Sequence, residues 1–202
     1  MSQRSLLITG GTVYTPYESV HEGYLIVEDG RIREIGKGNP SITRQSSQTL
    51  DANGKLVLPG FIDIHVNGGG GCITLEGTLD ALRSVARAHV KFGTTAMLPA
   101  VISGDDETMR RAVSAIAEAA EKGTGGSNVL GVHLEGPFLN PSRRGIHQKE
   151  FLRSPSIEYF DEIYDLARGR LRVIALAPEL DNAISLTRHA TRRGVVVSLA
   201  HS

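Results

Sequence analysis

The chain has 202 residues, of which 40% are hydrophobic and 22% are charged, and its acidic and basic side chains balance to a formal net charge of zero. This composition is typical of about one globular domain, or one and a half, with a true hydrophobic core, and the charge balance argues against a protein that binds nucleic acid or a membrane surface. The single cysteine, Cys72, cannot form an internal disulfide, and the apolar run near the N-terminus is too short for a signal peptide or a membrane span. A reducing compartment, by default the cytoplasm, is therefore expected.

The first 57 residues predict a small unit that contains only β-strands. Short runs of strand-forming residues are separated by polar or glycine-containing segments, and no helical periodicity interrupts them. In chain order the predicted features are a strand at 6–13 broken at Gly10-Gly11, a hairpin at 24–35 with its turn at Asp29-Gly30, a loop at 37–48, and a turn at Asn53-Gly54 before 55–58. The Asp29-Gly30 turn is of the two-residue type that needs positive φ. Residues 1–57 are therefore predicted to form an all-β domain.

Beyond Pro59-Gly60 the pattern changes to apolar strands that alternate with segments of helical periodicity. The predicted strands are 61–65, 95–102, 129–135, 172–177 and 195–201, and the predicted helices are 79–90, 106–122, 157–167 and 181–193. Such alternation predicts an α/β fold with a parallel sheet covered by helices. Strand spacings of about 25 to 45 residues suit a (β/α)8 barrel. Because five strands cannot close an eight-stranded barrel, residues 58–202 are predicted to form the first five strands of an incomplete TIM-type barrel.

The most informative motif follows the third strand of this barrel. An apolar run ends on Glu135, a Gly-Pro break follows at once, and a loop brings His147 twelve residues later. The fifth strand leads in the same way to His201, one residue before the last. Active sites of α/β barrels lie at the carboxyl ends of the strands. The motif therefore predicts a metal ligand and a polarising group side by side.

Each of these residues also has a structural interpretation that the sequence leaves open. The alternative to each functional role is a Glu135 that caps the turn after it, a His147 that is a loop histidine in contact with solvent, and a His201 that is a structural histidine. His133 precedes Glu135 by two residues on the same strand face. It is either a partner that orients the carboxylate or a packed interior histidine.

The first barrel strand carries polar side chains at alternate positions. Asp63, His65 and Asn67 are spaced two apart, which places all three on one face. Either that face opens onto the catalytic end of the barrel, or Asp63 and His65 form a hydrogen-bonded core pair and the glycines after Asn67 are only a turn. Spacing alone does not separate these two interpretations.

Two motifs carry a resemblance to a known family. The pattern Asp51-Ala-x-Gly-x-x-Val57-x-Pro59-Gly-x-Ile-Asp63-x-His65 resembles the entry into the barrel of the amidohydrolase superfamily. The segment His133-Leu-Glu-Gly-Pro-Phe-Leu-Asn-Pro, followed by Gly145-Ile-His147, is similar to the N-acetylglucosamine-6-phosphate deacetylase family within it. The resemblance implies that residues 1–57 are part of a β-sandwich. It also implies metal-dependent hydrolysis of N-acetylglucosamine 6-phosphate to glucosamine 6-phosphate and acetate.

The same resemblance implies roles for individual residues. Glu135 and His201 would be metal ligands, His147 would be the catalytic group that hydrogen-bonds the amide carbonyl of the substrate, and the main chain at Ile146 would lie against the sugar. The metal would be Zn²⁺, with Fe²⁺ or another divalent ion as alternatives. Asn67 stands where many amidohydrolases carry the second histidine of a His-x-His pair, and an amide oxygen is a weak ligand for Zn²⁺. One ion per subunit is therefore predicted, with His65 a spectator or partial ligand.

The resemblance also implies that a second histidine ligand, the aspartate that moves the proton, and most phosphate-binding groups lie beyond Ser202. The 202-residue chain alone is therefore expected to be inactive. A full-length enzyme is expected to be a homo-oligomer, a dimer, that acts on a small amino sugar phosphate and has no nucleic-acid or membrane partner. The alternatives are a deacetylase for another N-acetylated amino sugar phosphate or a different amidohydrolase, a non-catalytic scaffold or binding module that kept the fold, and a truncated gene product with no function.

Overall fold

The computed structural model of the protein describes residues 5–38, 40 and 48–202. The chain divides into two compact units, Met1–Pro59 and Gly60–Ser202. The division lies close to the boundary that the change of sequence pattern predicts after residue 57. The assignment of the first unit to a β-sandwich stays a prediction.

The described residues of the first unit form one five-stranded sheet around a long central strand. The strands are β1 (Ser5–Tyr14), β2 (Ser19–Glu28), β3 (Arg31–Lys37), β4 (Gln48–Asp51) and β5 (Leu56–Val57). β1 pairs antiparallel with β2, which pairs antiparallel with β3, while β4 and β5 both lie parallel to β1. The all-β character predicted for this region is confirmed for the residues that the structure describes.

Of two glycine-containing positions in this sheet, one has the predicted conformation and the other does not. Asp29 and Gly30 connect β2 to β3 with φ of 49° and 76°, as the predicted turn requires. The predicted break at Gly10-Gly11 is wrong, because β1 runs through it with a register shift against β2 between Thr9 and Gly11. A bulge takes up the extra residue without ending the strand.

The predicted loop at 37–48 and the turn after β4 have different outcomes. Lys37 and Gln48 belong to β3 and β4, while residues 39 and 41–47 of that predicted loop lie outside the described residues. Asn53-Gly54 forms the predicted turn before β5.

The second unit alternates strands and helices. In chain order its elements are β6 (Phe61–Val66), β7 (Gly68–Gly69), β8 (Cys72–Ile73), a 3-10 turn (Thr74–Glu76), α1 (Leu79–Val90), β9 (Thr94–Ile102), α2 (Asp106–Lys122), β10 (Asn128–Val129), β11 (Val132–Glu135), a 3-10 turn (Lys149–Phe151), α3 (Ile157–Leu166), β12 (Leu171–Leu176), α4 (Ala183–Arg192) and β13 (Val196–Leu199). All five predicted strands and all four predicted helices are present, with ends that shift by a few residues.

Five of these strands form a parallel sheet in the order in which they occur along the chain. β6 pairs with β9, β9 with β11, β11 with β12, and β12 with β13. Successive strands in neighbouring positions, each joined to the next through a helix-containing connection, are the arrangement of a barrel wall. The predicted parallel α/β sheet is therefore confirmed.

The third predicted strand, 129–135, is divided into β10 and β11, which both pair with β9. The division falls at Gly131, whose φ is 149°. A Cβ atom at this position would lie 2.2 Å from the carbonyl oxygen of Arg170. Only glycine allows the backbone at residue 131 to approach the backbone at Arg170 this closely.

Side-chain caps fix where three of the helices begin. Thr78, Asp105 and Ser156 precede α1, α2 and α3, and each side chain accepts a hydrogen bond from a backbone N–H of the first turn. Such caps satisfy donors that have no partner within the helix. The bounds predicted for α2, 106–122, are those observed.

The hydrophobic core of the second unit lies between the helices and the sheet. Met109, Val113 and Ile116 are fully buried on one face of α2, and Met97 and Val101 of β9 belong to the same cluster. This packing fixes the strands, so the side chains at their carboxyl ends keep a defined spacing. In the parts of the chain that the structure describes, no helix combines the length and apolar character needed to cross a membrane.

Candidate metal centre and active site

Three of the residues singled out in the sequence converge at the carboxyl ends of the parallel strands. Glu135 is the last residue of β11, His147 lies in the loop after it, and His201 lies two residues beyond β13. One ligand atom from each lies within 4.8 Å of the others, so the group could hold a metal ion. His201 was predicted within the fifth strand, but β13 ends at Leu199 and His201 has a left-handed φ of 53°.

The carboxylate of Glu135 is the centre of this group. Its Oε2 lies 2.8 Å from Nε2 of His65, and its Oε1 lies 3.5 Å from Nε2 of His201 and 3.7 Å from Nε2 of His147. The residue is only 9% exposed. Glu135 therefore faces the rings of three histidines.

Opposing effects act on the pKa of Glu135. Burial alone raises this pKa, but the neighbouring His147 ring, the hydrogen bond from His65 and the charges that these rings carry when protonated outweigh burial and lower the pKa to about 2. The carboxyl group is therefore ionised at neutral pH. An anionic oxygen held at a strand end is a suitable ligand for a divalent cation.

His201 is held by its partners so that one ring nitrogen remains available. Its Nδ1 lies 2.9 Å from the carbonyl oxygen of Arg143, and its own carbonyl oxygen accepts a hydrogen bond from the backbone N–H of Asn140. A carbonyl oxygen only accepts, so Nδ1 must carry the hydrogen. In the neutral ring, Nε2 then presents its lone pair towards Glu135, as metal-binding histidines do.

His147 lies much deeper than a loop position suggests. It is 1% exposed, and its Nδ1 lies 3.3 Å from the backbone nitrogen of Ser103 and 3.0 Å from the Ser103 hydroxyl. Its Nε2 is buried and has no hydrogen-bond partner among the described residues. The interpretation of His147 as a loop histidine in contact with solvent is therefore wrong.

His65 and His133 form a second layer beside Glu135. The side chain of His65 is 42% exposed, its Nε2 donates to the carboxylate of Glu135, and its ring centroid lies 4.4 Å from that of His133. His133 is buried, its Nδ1 lies 2.7 Å from the carbonyl oxygen of Ile64, and burial lowers its pKa. His133 is thus a packed interior histidine, and it supports the ring that hydrogen-bonds the carboxylate.

Asp63 of β6 and Asn67, the first residue after that strand, have local roles. Oδ1 of Asp63 accepts a hydrogen bond from the backbone N–H of His65 at 3.1 Å, so the two side chains are not hydrogen-bonded as a core pair. The backbone carbonyl of Asn67 accepts hydrogen bonds from the N–H and the hydroxyl of Thr74. Asn67 thus contributes to loop structure through its main chain.

Two side-chain hydrogen bonds hold the loop between Glu135 and His147 in place. Nδ2 of Asn140 donates to Oε1 of Glu179 at 2.6 Å, and the guanidinium of Arg144 donates to the carbonyl oxygen of His147 at 2.7 Å. The side chain of Ile146 is 79% exposed beside the buried His147. The loop therefore presents a short exposed segment directly next to the cluster.

Sequence reasoning missed two residues that hold this arrangement. The sequence pattern gives no individual role to Asn140, which is part of the motif, or to Ser103. Ser103 directly follows Ile102, the last residue of β9, and so lies at a strand end, as Glu135 does. The same rule, applied to β9, would have identified Ser103.

A family model described as the amidohydrolase family matches residues 56–191 of the chain. The chain belongs to the amidohydrolase family. This amidohydrolase chain is 32% identical over 201 residues to the N-acetylglucosamine-6-phosphate deacetylase of Bacillus subtilis (strain 168), with 98% of this chain and 50% of the relative covered. It is 33% identical over 178 residues to the N-acetylgalactosamine-6-phosphate deacetylase of Escherichia coli O157:H7, with 88% and 45% covered. The chain spans about half the length of the curated relatives it matches.

Solved structures agree with this placement. An N-acetyl-D-glucosamine-6-phosphate deacetylase from Mycobacterium smegmatis superposes with a TM-score of 0.86 at 30% identity, covering 97% of this chain and 50% of that chain. The corresponding enzyme from Pasteurella multocida gives a TM-score of 0.87 at 29% identity, covering 98% and 51%. These neighbours support a curled parallel half-barrel for the second unit of this amidohydrolase.

Membership of this family implies a divalent metal ion, and the residues present fit one. Oε1 of Glu135 and Nε2 of His201 lie 3.5 Å apart. Zinc binds carboxylate oxygen and imidazole nitrogen at about 2.0 to 2.2 Å, so one ion can contact both atoms without a large shift. The hydrogen bond from Nδ1 of His201 to Arg143 leaves the correct nitrogen free.

Proposed function

We propose that the protein that carries this sequence hydrolyses the N-acetyl group of N-acetylglucosamine 6-phosphate. The cluster of Glu135, His147 and His201 at the carboxyl ends of the strands carries this proposal. It combines an anionic ligand, a histidine with a free nitrogen and a buried polar ring. The similarity to deacetylases of this sugar phosphate supports the choice of substrate.

In this proposal Glu135 and His201 hold one divalent ion, Zn²⁺, in each subunit. Such an ion supplies Lewis-acid chemistry, because it makes a nearby water more acidic and polarises a carbonyl group. His65 engages Oε2 of Glu135, which leaves Oε1 towards His201. His65 therefore orients the carboxylate, in keeping with the spectator role, and is not required as a ligand.

His147 acts in this proposal on the carbonyl oxygen of the substrate. Water adds to the amide carbon, the C–N bond breaks, and the products are acetate and the amine, which takes up a proton. Negative charge collects on the carbonyl oxygen during the addition. A buried hydrogen-bond donor fixed beside that oxygen stabilises the charge, and removing such a donor costs about a hundredfold or more in rate.

Ile146 contributes through its main chain. Its side chain points into solvent while its neighbour His147 is buried, so the backbone between them spans the edge of the site. We place the sugar of the substrate against this backbone. Cytoplasmic location and a homodimeric state remain part of the proposal.

A second candidate substrate is N-acetylgalactosamine 6-phosphate. The 33% identity to a deacetylase of that sugar phosphate lies between the 32% and 34% identities to two relatives named as deacetylases of the glucosamine derivative. The two sugars differ only in the configuration of one hydroxyl group. The cluster acts on the N-acetyl group that both sugar phosphates share, so its geometry does not distinguish between the two substrates.

Acetate release by the protein, as its gene encodes it, tests the proposal. We expect release from N-acetylglucosamine 6-phosphate, faster than from the galactosamine compound, with loss on chelation and recovery on addition of Zn²⁺. Faster release from N-acetylgalactosamine 6-phosphate would favour the second candidate. Release from neither compound by a metal-loaded, folded protein would contradict both and favour the non-catalytic scaffold.

A further inference from the structure

Ser103 places two hydrogen-bond donors against a single nitrogen of His147. Its backbone N–H donates to Nδ1 at 3.3 Å, and its hydroxyl oxygen lies 3.0 Å from the same atom. Both residues are buried, with 5% and 1% of their surface exposed. Solvent therefore does not replace either contact.

A backbone N–H can only donate, so Nδ1 of His147 must accept and carries no hydrogen. In a neutral imidazole the hydrogen then lies on Nε2. We infer that Ser103, through its N–H and its hydroxyl, sets the tautomer of His147, so that Nε2 is a hydrogen-bond donor directed at Glu135 and not a metal ligand. Ser103 is in this sense a positioning residue that acts through His147.

His201 provides the contrast within the same cluster. Its Nδ1 faces a carbonyl oxygen, which forces the opposite tautomer and frees Nε2. The two Nε2 atoms lie at nearly the same distance from Oε1 of Glu135, 3.5 Å for His201 and 3.7 Å for His147. Distances alone give both histidines the same role. The partners of the two Nδ1 atoms divide them into one ligand and one donor.

The Ser103 hydroxyl can occupy its position beside His147 because residue 136 is a glycine and has no side chain there. A Cβ atom at position 136 would lie 2.3 Å from Oγ of Ser103. Gly136 also has a φ of 97°, a conformation that other residues rarely adopt. The glycine after Glu135 thus links the metal-ligand strand to the residue that orients His147.

The catalytic meaning of this tautomer rests on the proposed function, in which Nε2 donates to the substrate carbonyl. The tautomer itself does not depend on that function. It is a property of the folded chain that is measurable without substrate or metal.

The test uses the chain labelled with ¹⁵N at histidine, freed of metal by chelation, at a pH at which the rings are neutral. Long-range ¹H–¹⁵N spectra report which ring nitrogen carries the hydrogen, and His147→Gln and His201→Asn assign the signals. We expect hydrogen on Nε2 of His147 and on Nδ1 of His201. Hydrogen on Nδ1 of His147 would overturn the inference.

Two variants isolate the hydroxyl. Ser103→Ala removes one of the two donors, and we expect the Nδ1–H form of His147 to appear while His201 is unchanged. Ser103→Thr keeps the hydroxyl and should retain the wild-type pattern. An unchanged His147 tautomer in folded Ser103→Ala would show that the hydroxyl has no such role.

Kinetics of the protein as its gene encodes it supply a second measurement. Because Ser103→Ala leaves one donor on Nδ1, we expect kcat to fall by about tenfold with little change in KM, less than the loss of the His147 donor itself. The expected tautomers without deacetylation in any form of the protein would count against the proposed function and not against this inference.

Discussion

At the scale of single residues, hydrogen-bond partners decide chemistry that residue type leaves open. His65, His133, His147 and His201 lie in or beside the cluster, yet each faces different partners. His133 is buried against His65 and hydrogen-bonds a carbonyl oxygen. Its Nε2 is buried without a partner among the residues that the structure describes, so a proton there would be poorly solvated.

The buried His133 predicts a pH dependence of stability. Burial lowers its pKa below 6.5, so between the folded and unfolded pKa values the unfolded chain binds more protons. The contribution of the neutral His133 to stability is fully present above pH 6.5 and is lost as the pH falls towards the folded-state pKa. Urea denaturation of the metal-free chain between about pH 8 and pH 5 should show this loss, and His133→Asn should show a smaller one. Equal pH dependence in both proteins would contradict the assignment.

The sequence was sufficient to select the cluster but not to complete it. Glu135 and His201 follow from the rule that strand ends carry the chemistry, and His147 follows from the family motif. Ser103 was not found, because the chain must fold before a residue 44 positions away reaches the His147 ring. The strand-end rule indicates the position of Ser103, but no local sequence pattern shows that this residue contacts His147.

At the scale of elements, agreement between sequence and structure follows from local physics. α2 has the predicted bounds because an aspartate caps it, its apolar residues lie on one face and a glycine follows its last residue. The division of the third predicted strand into β10 and β11 was not predicted. Gly131 causes it through a close approach to Arg170, a contact between distant parts of the chain.

The helix caps give a prediction at this scale. Oγ1 of Thr78 accepts a hydrogen bond from the N–H of Ala81 at the start of α1. Thr78→Ala should lower the free energy of unfolding by about 1 kcal/mol, whereas Thr78→Ser keeps an oxygen acceptor and should cost less than about half of that. Urea denaturation at a constant pH measures both. A loss in Thr78→Ser equal to that in Thr78→Ala would show that the cap does not stabilise the helix.

At the scale of the whole molecule, the core of the second unit holds the strand ends in place. Ile116 is completely buried on α2, while Ile184 on α4 is 65% exposed. Ile116→Ala should lower the free energy of unfolding by about 2 to 5 kcal/mol, because it removes buried methyl groups and leaves a cavity.

Ile184→Ala is the matched control for this change. It makes the same substitution on an exposed helix surface, where the expected effect is within about 0.5 kcal/mol. Similar losses in the two variants would mean that the core does not lie where the structure places it.

The central claim is that Glu135 and His201 hold one metal ion while His147 does not. Calorimetric titration of the metal-free chain with Zn²⁺ tests it most directly, with Glu135→Gln, His201→Asn and His147→Gln compared under the same conditions. We expect one ion per chain, a loss of affinity of at least about tenfold in the first two variants, and a change within about threefold in the third. Two tightly bound ions, or a loss in His147→Gln as large as that in His201→Asn, would contradict the account.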